Sequence, residues 1–158
     1  MVRTIVRPEQ GSNDFLTENE GETLYGDTTG TFTPVVKIGT TTQTASVAIG
    51  NYNKVQDIIN VSIKVTFSKS GTGDLTLEGL PFASKNTANF DQTLTQGLSQ
   101  GIITNLYYGS GPNRISIVLS PNSTTLLFKS SSNTSSTSLS DTDLSSSISI
   151  TISGSYVI

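Results

Sequence analysis

The chain has 158 residues, enough for one domain with a core of its own. It contains no Cys, His or Trp, so disulfides, thiolate or imidazole metal sites and the commonest general base are all missing from its chemistry. Charged residues make up 13%, about half the usual share, and Ser, Thr, Asn and Gly take their place. The net charge of −3 and the scattered Lys and Arg argue against capture of a nucleic acid. No apolar run is long enough to span a membrane. The opening MVRTIVRPEQ lacks the apolar stretch of a signal peptide, so any exit from a cell is expected by another route, such as lysis.

In chain order, residues 1–29 differ from the rest. They hold Glu9, Asp14, Glu18, Glu20, Glu22 and Asp27, half of the 12 acidic residues, punctuated by Pro8, Gly11, Asn13, Gly21 and Gly26. Only Arg3 to Arg7 alternates weakly. This segment reads as an extended N-terminal arm. It gains its order from a neighbouring molecule through Arg3, Ile5, Arg7, Phe15, Leu16, Leu24 and Tyr25. A mobile tail is the ordinary alternative for a terminus.

Residues 30–158 read as β throughout. Val61, Ile63, Val65 and Phe67 alternate with Asn60, Ser62, Lys64 and Thr66, the period of a strand with one wet face. Ile148, Ile150 and Ile152 repeat the pattern in Ser147 to Tyr156. Further strands are expected at Thr31 to Ile38, Ala45 to Ile49, Tyr52 to Gln56, Asp74 to Glu78, Arg114 to Leu119 and Thr124 to Phe128. Pro121-Asn122 reads as the turn of a hairpin, and Ser70-Gly-Thr-Gly73 as a hairpin loop between Phe67 and Leu75. Asn89 to Gln100 reads as loop with at most one helical turn. Residues 129–147 are Ser/Thr-rich and read as an exposed loop that Leu139 and Leu144 could pin down, with receptor contact as its functional alternative. Short strands with Gly-rich turns imply an all-β fold, a single antiparallel β-sandwich or small barrel.

The chemistry test is negative at each candidate. Ser68-Lys69 and Ser84-Lys85 are adjacent pairs, and neighbours on a strand point to opposite faces. Asp57, Asp74, Glu78, Asp91, Asp141 and Asp143 show no spacing that singles out a hydrolytic pair, and Asp is at home in turns. Asp141-Thr-Asp143 could offer oxygen ligands to calcium but lacks the longer loop pattern, so a capped turn is the simpler reading. The triplets at Asn60, Asn122 and Asn133 match a glycosylation acceptor as a Ser/Thr-rich chain does by chance. The expectation is therefore a protein that is not an enzyme, with no catalytic, cofactor or metal site. Tyr107 and Tyr108 ahead of Gly109-Ser-Gly111 are read two ways, as exposed binding anchors or as rings covering one end of the core.

Four motifs carry a resemblance: Gly30-Thr-Phe-Thr-Pro34, Gly50-Asn-Tyr-Asn-Lys-Val55, Gly79-Leu-Pro-Phe82 and Ser153-Gly-Ser-Tyr156. With the alternating strand through Phe67 and the loop Ser68 to Gly73, they resemble the β domain at the ends of phage tail-fibre and other virion surface structural proteins. That family usually carries Gly-Asn where this chain has Gln56-Asp57. The motifs suit folding more than chemistry: Pro81 takes a strand out of a sheet, and Leu80 and Phe82 can plug one end of the core. The resemblance implies a virion protein, made in the host cytoplasm, often a homotrimer. A short arm before a compact domain suits a capsid decoration (cement) protein whose arm, with a reach of up to ~100 Å, adds a strand to the major capsid protein or another virion protein. The rival readings are a tail or fibre component and a carbohydrate-binding module that meets a host glycan through Tyr107 and Tyr108.

Overall fold

The computed structural model describes residues 28–102, 114–131 and 136–158, together with the backbone of two short strands ahead of them. It is an all-β antiparallel sandwich. The leading strands are β1 (Ile5–Val6) and β2 (Phe15–Leu16), which pair with each other. Their register sets Ile5 opposite Leu16 and Val6 opposite Phe15. The main body begins with β3 (Thr28–Phe32), so Thr28 and Thr29, placed by composition in the arm, belong to a strand of the larger sheet.

The strands that follow are β4 (Val35–Ile38), β5 (Thr41–Thr42), β6 (Ala45–Val55), β7 (Ile58–Ser68), β8 (Leu75–Glu78), β9 (Gln92–Ile102), β10 (Arg114–Leu119), β11 (Leu126–Ser131), β12 (Ser136–Ser138) and β13 (Leu144–Val157). One layer runs β3-β6-β7-β13. The other runs β9-β10-β11-β8-β4-β5, with β12 beside β11. The layers are joined by β9. Its Gln92 to Leu94 pair with β10, and from Thr95 onward it pairs with β13. Register shifts in β13 opposite β9 mark the bend, as expected where a strand changes sheets.

The core lies between the layers and is built by period-two alternation. Strand β7 buries Ile59, Val61, Ile63, Val65 and Phe67, and β13 buries Ile148, Ile150, Ile152 and Tyr156. The facing layer contributes Val36, Ile38, Leu75, Leu77, Ile117, Leu119, Leu126 and Phe128. Each such side chain is worth about 1.5–3 kcal/mol of transfer free energy. Leu139 and Leu144 are also fully buried and anchor the Ser-rich region at both ends of a 3-10 turn, Asp141–Asp143.

Several expected elements take a different form. The single strand expected at Thr31 to Ile38 is two strands in different layers. Pro34, buried and without an N–H, sits where the chain crosses. The two strands expected on either side of Gly50 are one strand, β6. The region Asn89 to Gln100, expected as loop, enters strand β9 at Gln92, because Gln92 and its successors complete ladders on both sheets. Ser70 to Gly73 does not close a hairpin. Both sides of β7 are taken by β6 and β13, so this loop carries the chain to the opposite layer, where β8 pairs with β4 and β11. The hairpin at Pro121-Asn122 is formed, with Asn122 at φ 53°.

The four motifs of the resemblance meet at one end of the sandwich. Gly30 pairs with Tyr52, and Phe32 pairs with Gly50, so each glycine faces an aromatic residue on the other strand. A Cβ at Gly30 would lie 2.6 Å from Tyr52 Cε1, and one at Gly50 would lie 2.5 Å from Phe32 Cζ. Each ring therefore occupies the space left by the opposite glycine, as aromatic residues do over strand glycines. Phe82 meets Tyr52 edge-on with centroids 5.5 Å apart, and Lys54 Nζ lies 5.5 Å from the Phe82 centroid. Tyr156, 1% exposed, donates its hydroxyl to the Phe82 carbonyl at 3.0 Å. Gly154 fits below Leu94 at the β9 bend, where a Cβ would lie only 3.3 Å from Leu94 Cβ and crowd it. Gln56 takes φ 53° in the two-residue β6–β7 turn, where glycine is the easier residue.

Gly50→Val drives a branched side chain into the Phe32 ring and is expected to lower stability by about 1–3 kcal/mol in urea unfolding. Burial pushes the Tyr156 hydroxyl up to about 12, partly offset by its bond to Phe82. A raised folded value means its contribution is complete below the unfolded tyrosine value near 10 and is lost as pH rises towards 12. Tyr156→Phe is therefore expected to flatten the alkaline fall in melting temperature, as read by a pH series of thermal melts.

Candidate interaction surface

The outward face of β3-β6-β7-β13 is set by the same alternation that fills the core. Its rows follow the strand registers. Thr29, Asn53, Asn60 and Ser155 form one, and Thr31, Asn51, Ser62 and Ser153 the next. Ile49, Lys64 and Thr151 form a third, then Val47, Thr66 and Ser149. Two cross-strand hydrogen bonds tie the rows: Ser155 Oγ to Asn60 Oδ1 at 2.8 Å and the Thr66 and Ser149 hydroxyls at 3.0 Å. At the hairpin end, Val55, Ile58 and Val157 stand opposite one another and exposed. Among the described residues of this face, Lys64 is the single ionisable side chain.

Such a face is inexpensive to cover. Ser, Thr, Asn and Val lose less rotamer entropy on burial than Lys or Glu do, and almost no charge needs desolvating. Interface centres are depleted of charge for the same reason. The aromatic rings of the layer face inward: Phe67 and Tyr156 lie in the core, and Phe32 and Tyr52 pack against it.

Several of the candidate polar residues have structural tasks. Lys69 Nζ donates to the carbonyls of Asp141 and Leu144 at 2.9 and 3.0 Å. Asp141 Oδ1 accepts the Gly73 N–H at 2.8 Å, and Asp143 Oδ2 accepts the Ser140 N–H at 2.9 Å, a capping box around the 3-10 turn. The calcium-like Asp-Thr-Asp is thus used as a capped turn. Ser84, 3% exposed, donates to the Ser120 carbonyl at 2.6 Å and accepts the Ser123 N–H. Asp57 sits in the β6–β7 turn, and Asp74 bridges Ser140. Glu78 pairs with Lys37 at 2.8 Å on the surface. Asn60 lies in β7 with its side-chain oxygen bound to Ser155, and Asn122 is exposed on the β10–β11 turn.

Sequence reasoning missed Gln43, which is 5% exposed. Its amide nitrogen donates to the Thr41 and Ser70 carbonyls, and its oxygen accepts the Ser70 N–H at 2.8 Å. This one side chain ties the β5–β6 connection to the interlayer loop. Nothing but its position after three threonines marks it in the sequence.

Of the expected partner-binding residues, Arg3, Arg7, Leu24 and Tyr25 lie outside the described residues, as do Tyr107 and Tyr108. Ile5, Phe15 and Leu16 lie in β1 and β2, for which the backbone pairing is described. No helix among the described residues is long and apolar enough to cross a membrane. No protein-family model matches the chain, and no curated protein matches it.

Gln43→Ala should cost about 2–3 kcal/mol through the unpaired backbone groups it leaves. Gln43→Glu, unable when ionised to donate to either carbonyl, should be more destabilising at neutral pH than in mild acid. Chemical unfolding of both variants at two pH values checks this.

Proposed function

We propose that this protein is a structural component of a phage virion, and specifically a capsid decoration protein. In this reading the sandwich sits on the shell, and the acidic segment before Thr28 docks on the major capsid protein. The copies gather as homotrimers, so that three arms reach three coat subunits under one cyclic symmetry. The protein acts by covering and bracing rather than by chemistry.

The observation that carries this reading is the outward face of β3-β6-β7-β13, four strands wide with Lys64 as its one charge among the described residues. Subunit packing favours such a face, whereas capture of a polyanion would need a basic one. The resemblance of the four motifs to virion β domains supports the same reading. So does the use of the candidate carboxylates, lysines and serines in caps and turns, which leaves them as framework.

The test is removal of residues 1–27, which leaves β3 whole. The truncated protein should keep its β-type circular dichroism and lose at least about tenfold in affinity, 1.4 kcal/mol, for particles of its phage stripped of the wild-type protein. Saturation of those particles with unchanged affinity would overturn the docking role of the arm.

A further inference from the structure

The sandwich has ends as well as faces, and its edge strands are unequal. Strand β5 has two residues and β12 has three, so both are blunted by shortness. Strand β3 is different. It pairs with β6 over five consecutive residues, Thr28 to Phe32, with no register shift, and β6 is its one strand neighbour among the described residues. It carries no charge, no proline and no bulge, the devices by which proteins usually protect an edge. It is braced from within, since Tyr52 covers Gly30 and Phe32 covers Gly50.

We propose that β3 is a homotypic docking edge, pairing antiparallel with β3 of a second copy about a twofold axis at Gly30. The strand's own sequence fits this pairing. Centred on Gly30, it brings Thr29 opposite Thr31 twice on the outward face, where threonine pairs are favourable. It brings Gly30 opposite Gly30 on the inward face. That position is where each copy already has a Tyr52 ring over the backbone, so a side chain from the partner would crowd it and a glycine does not. Thr28 falls opposite Phe32, an aromatic and β-branched pair. No like charges meet anywhere along the five residues. The pairing merges two outward faces into one sheet eight strands wide, from two sets of β3-β6-β7-β13, and adds main-chain hydrogen bonds that need no special side chain.

A twofold contact of this kind is compatible with a trimer, since it can link one trimer to another, and it does not depend on the location of the protein in a particle. The partner it fits is a second copy of this chain.

The chain has no cysteine, which permits a clean cross-linking test. Residues opposite each other in an antiparallel pair have Cα atoms about 4.5–5.5 Å apart, within disulfide reach, whereas diagonal positions are beyond it. Thr29→Cys and Thr31→Cys are made separately in the full chain; both sites are exposed. After mixing and mild oxidation, the mixture should give a covalent dimer joining one variant to the other, and each variant alone should give little. The double variant Thr29→Lys with Thr31→Lys should sediment as a smaller species than the wild type, with an unchanged melting profile. A mixture that cross-links no better than its separate components, or a wild type that sediments as a monomer at every concentration, would overturn the proposal. So would a trimer left intact by the lysine variant with no cross-link between 29 and 31.

Discussion

The reciprocal fit of two glycines under two aromatic rings is the contact on which the rest of this sandwich depends. Gly30 and Gly50 have no side chain to fill the inner surface of β3 and β6, and Tyr52 and Phe32 fill it from across the ladder. Because each ring needs the other strand's glycine, the pairing has a single register; a slip by one residue would set a ring against a threonine or asparagine and turn the buried face outward. Phe82 then braces Tyr52, and Tyr156 holds the Phe82 backbone from the far strand. Four segments distant in the chain are thereby locked together at one end of the core.

The opposite end is closed by polar means. The interlayer loop after β7 is held by Gln43, by the Lys69 ammonium and by Asp141, each bonded to backbone groups that would otherwise be left without partners. With few charged residues available, the chain uses them as caps and cross-braces. This explains how a composition poor in charge can still satisfy the turns of a thirteen-strand structure, as counted over the described residues. It also accounts for why residues that look reactive in the sequence, such as Ser84 and Lys69, are committed to structure.

The consequence appears on the outside. Once ionisable side chains are spent in turns and at the surface pair Lys37–Glu78, the outward face of one layer is left as rows of hydroxyl and amide groups. A face of that kind is neither a strong electrostatic lure nor an apolar patch prone to indiscriminate adhesion. It suits repeated, shape-directed contact between copies or with a symmetric shell, in keeping with the proposed virion role and with the proposed docking edge beside it.

What the sequence determined by itself was the alternation. Ile59 to Phe67 and Ser147 to Tyr156 read as half-buried strands because a period of two has one physical meaning, and all-β architecture followed from it. The motifs around Gly30, Gly50 and Gly79 were also legible as folding elements, although their meeting point was not. Strand partners, the crossing at Pro34, the continuation of β6 through Gly50 and the strand at Gln92 were decided only in three dimensions. Each depends on a neighbour remote in sequence: Gly50 continues a strand because Phe32 covers it, and β9 is a strand because β10 and β13 both need a partner. Local pattern records which face of a segment is dry, whereas the identity of what dries it is a property of the assembled fold.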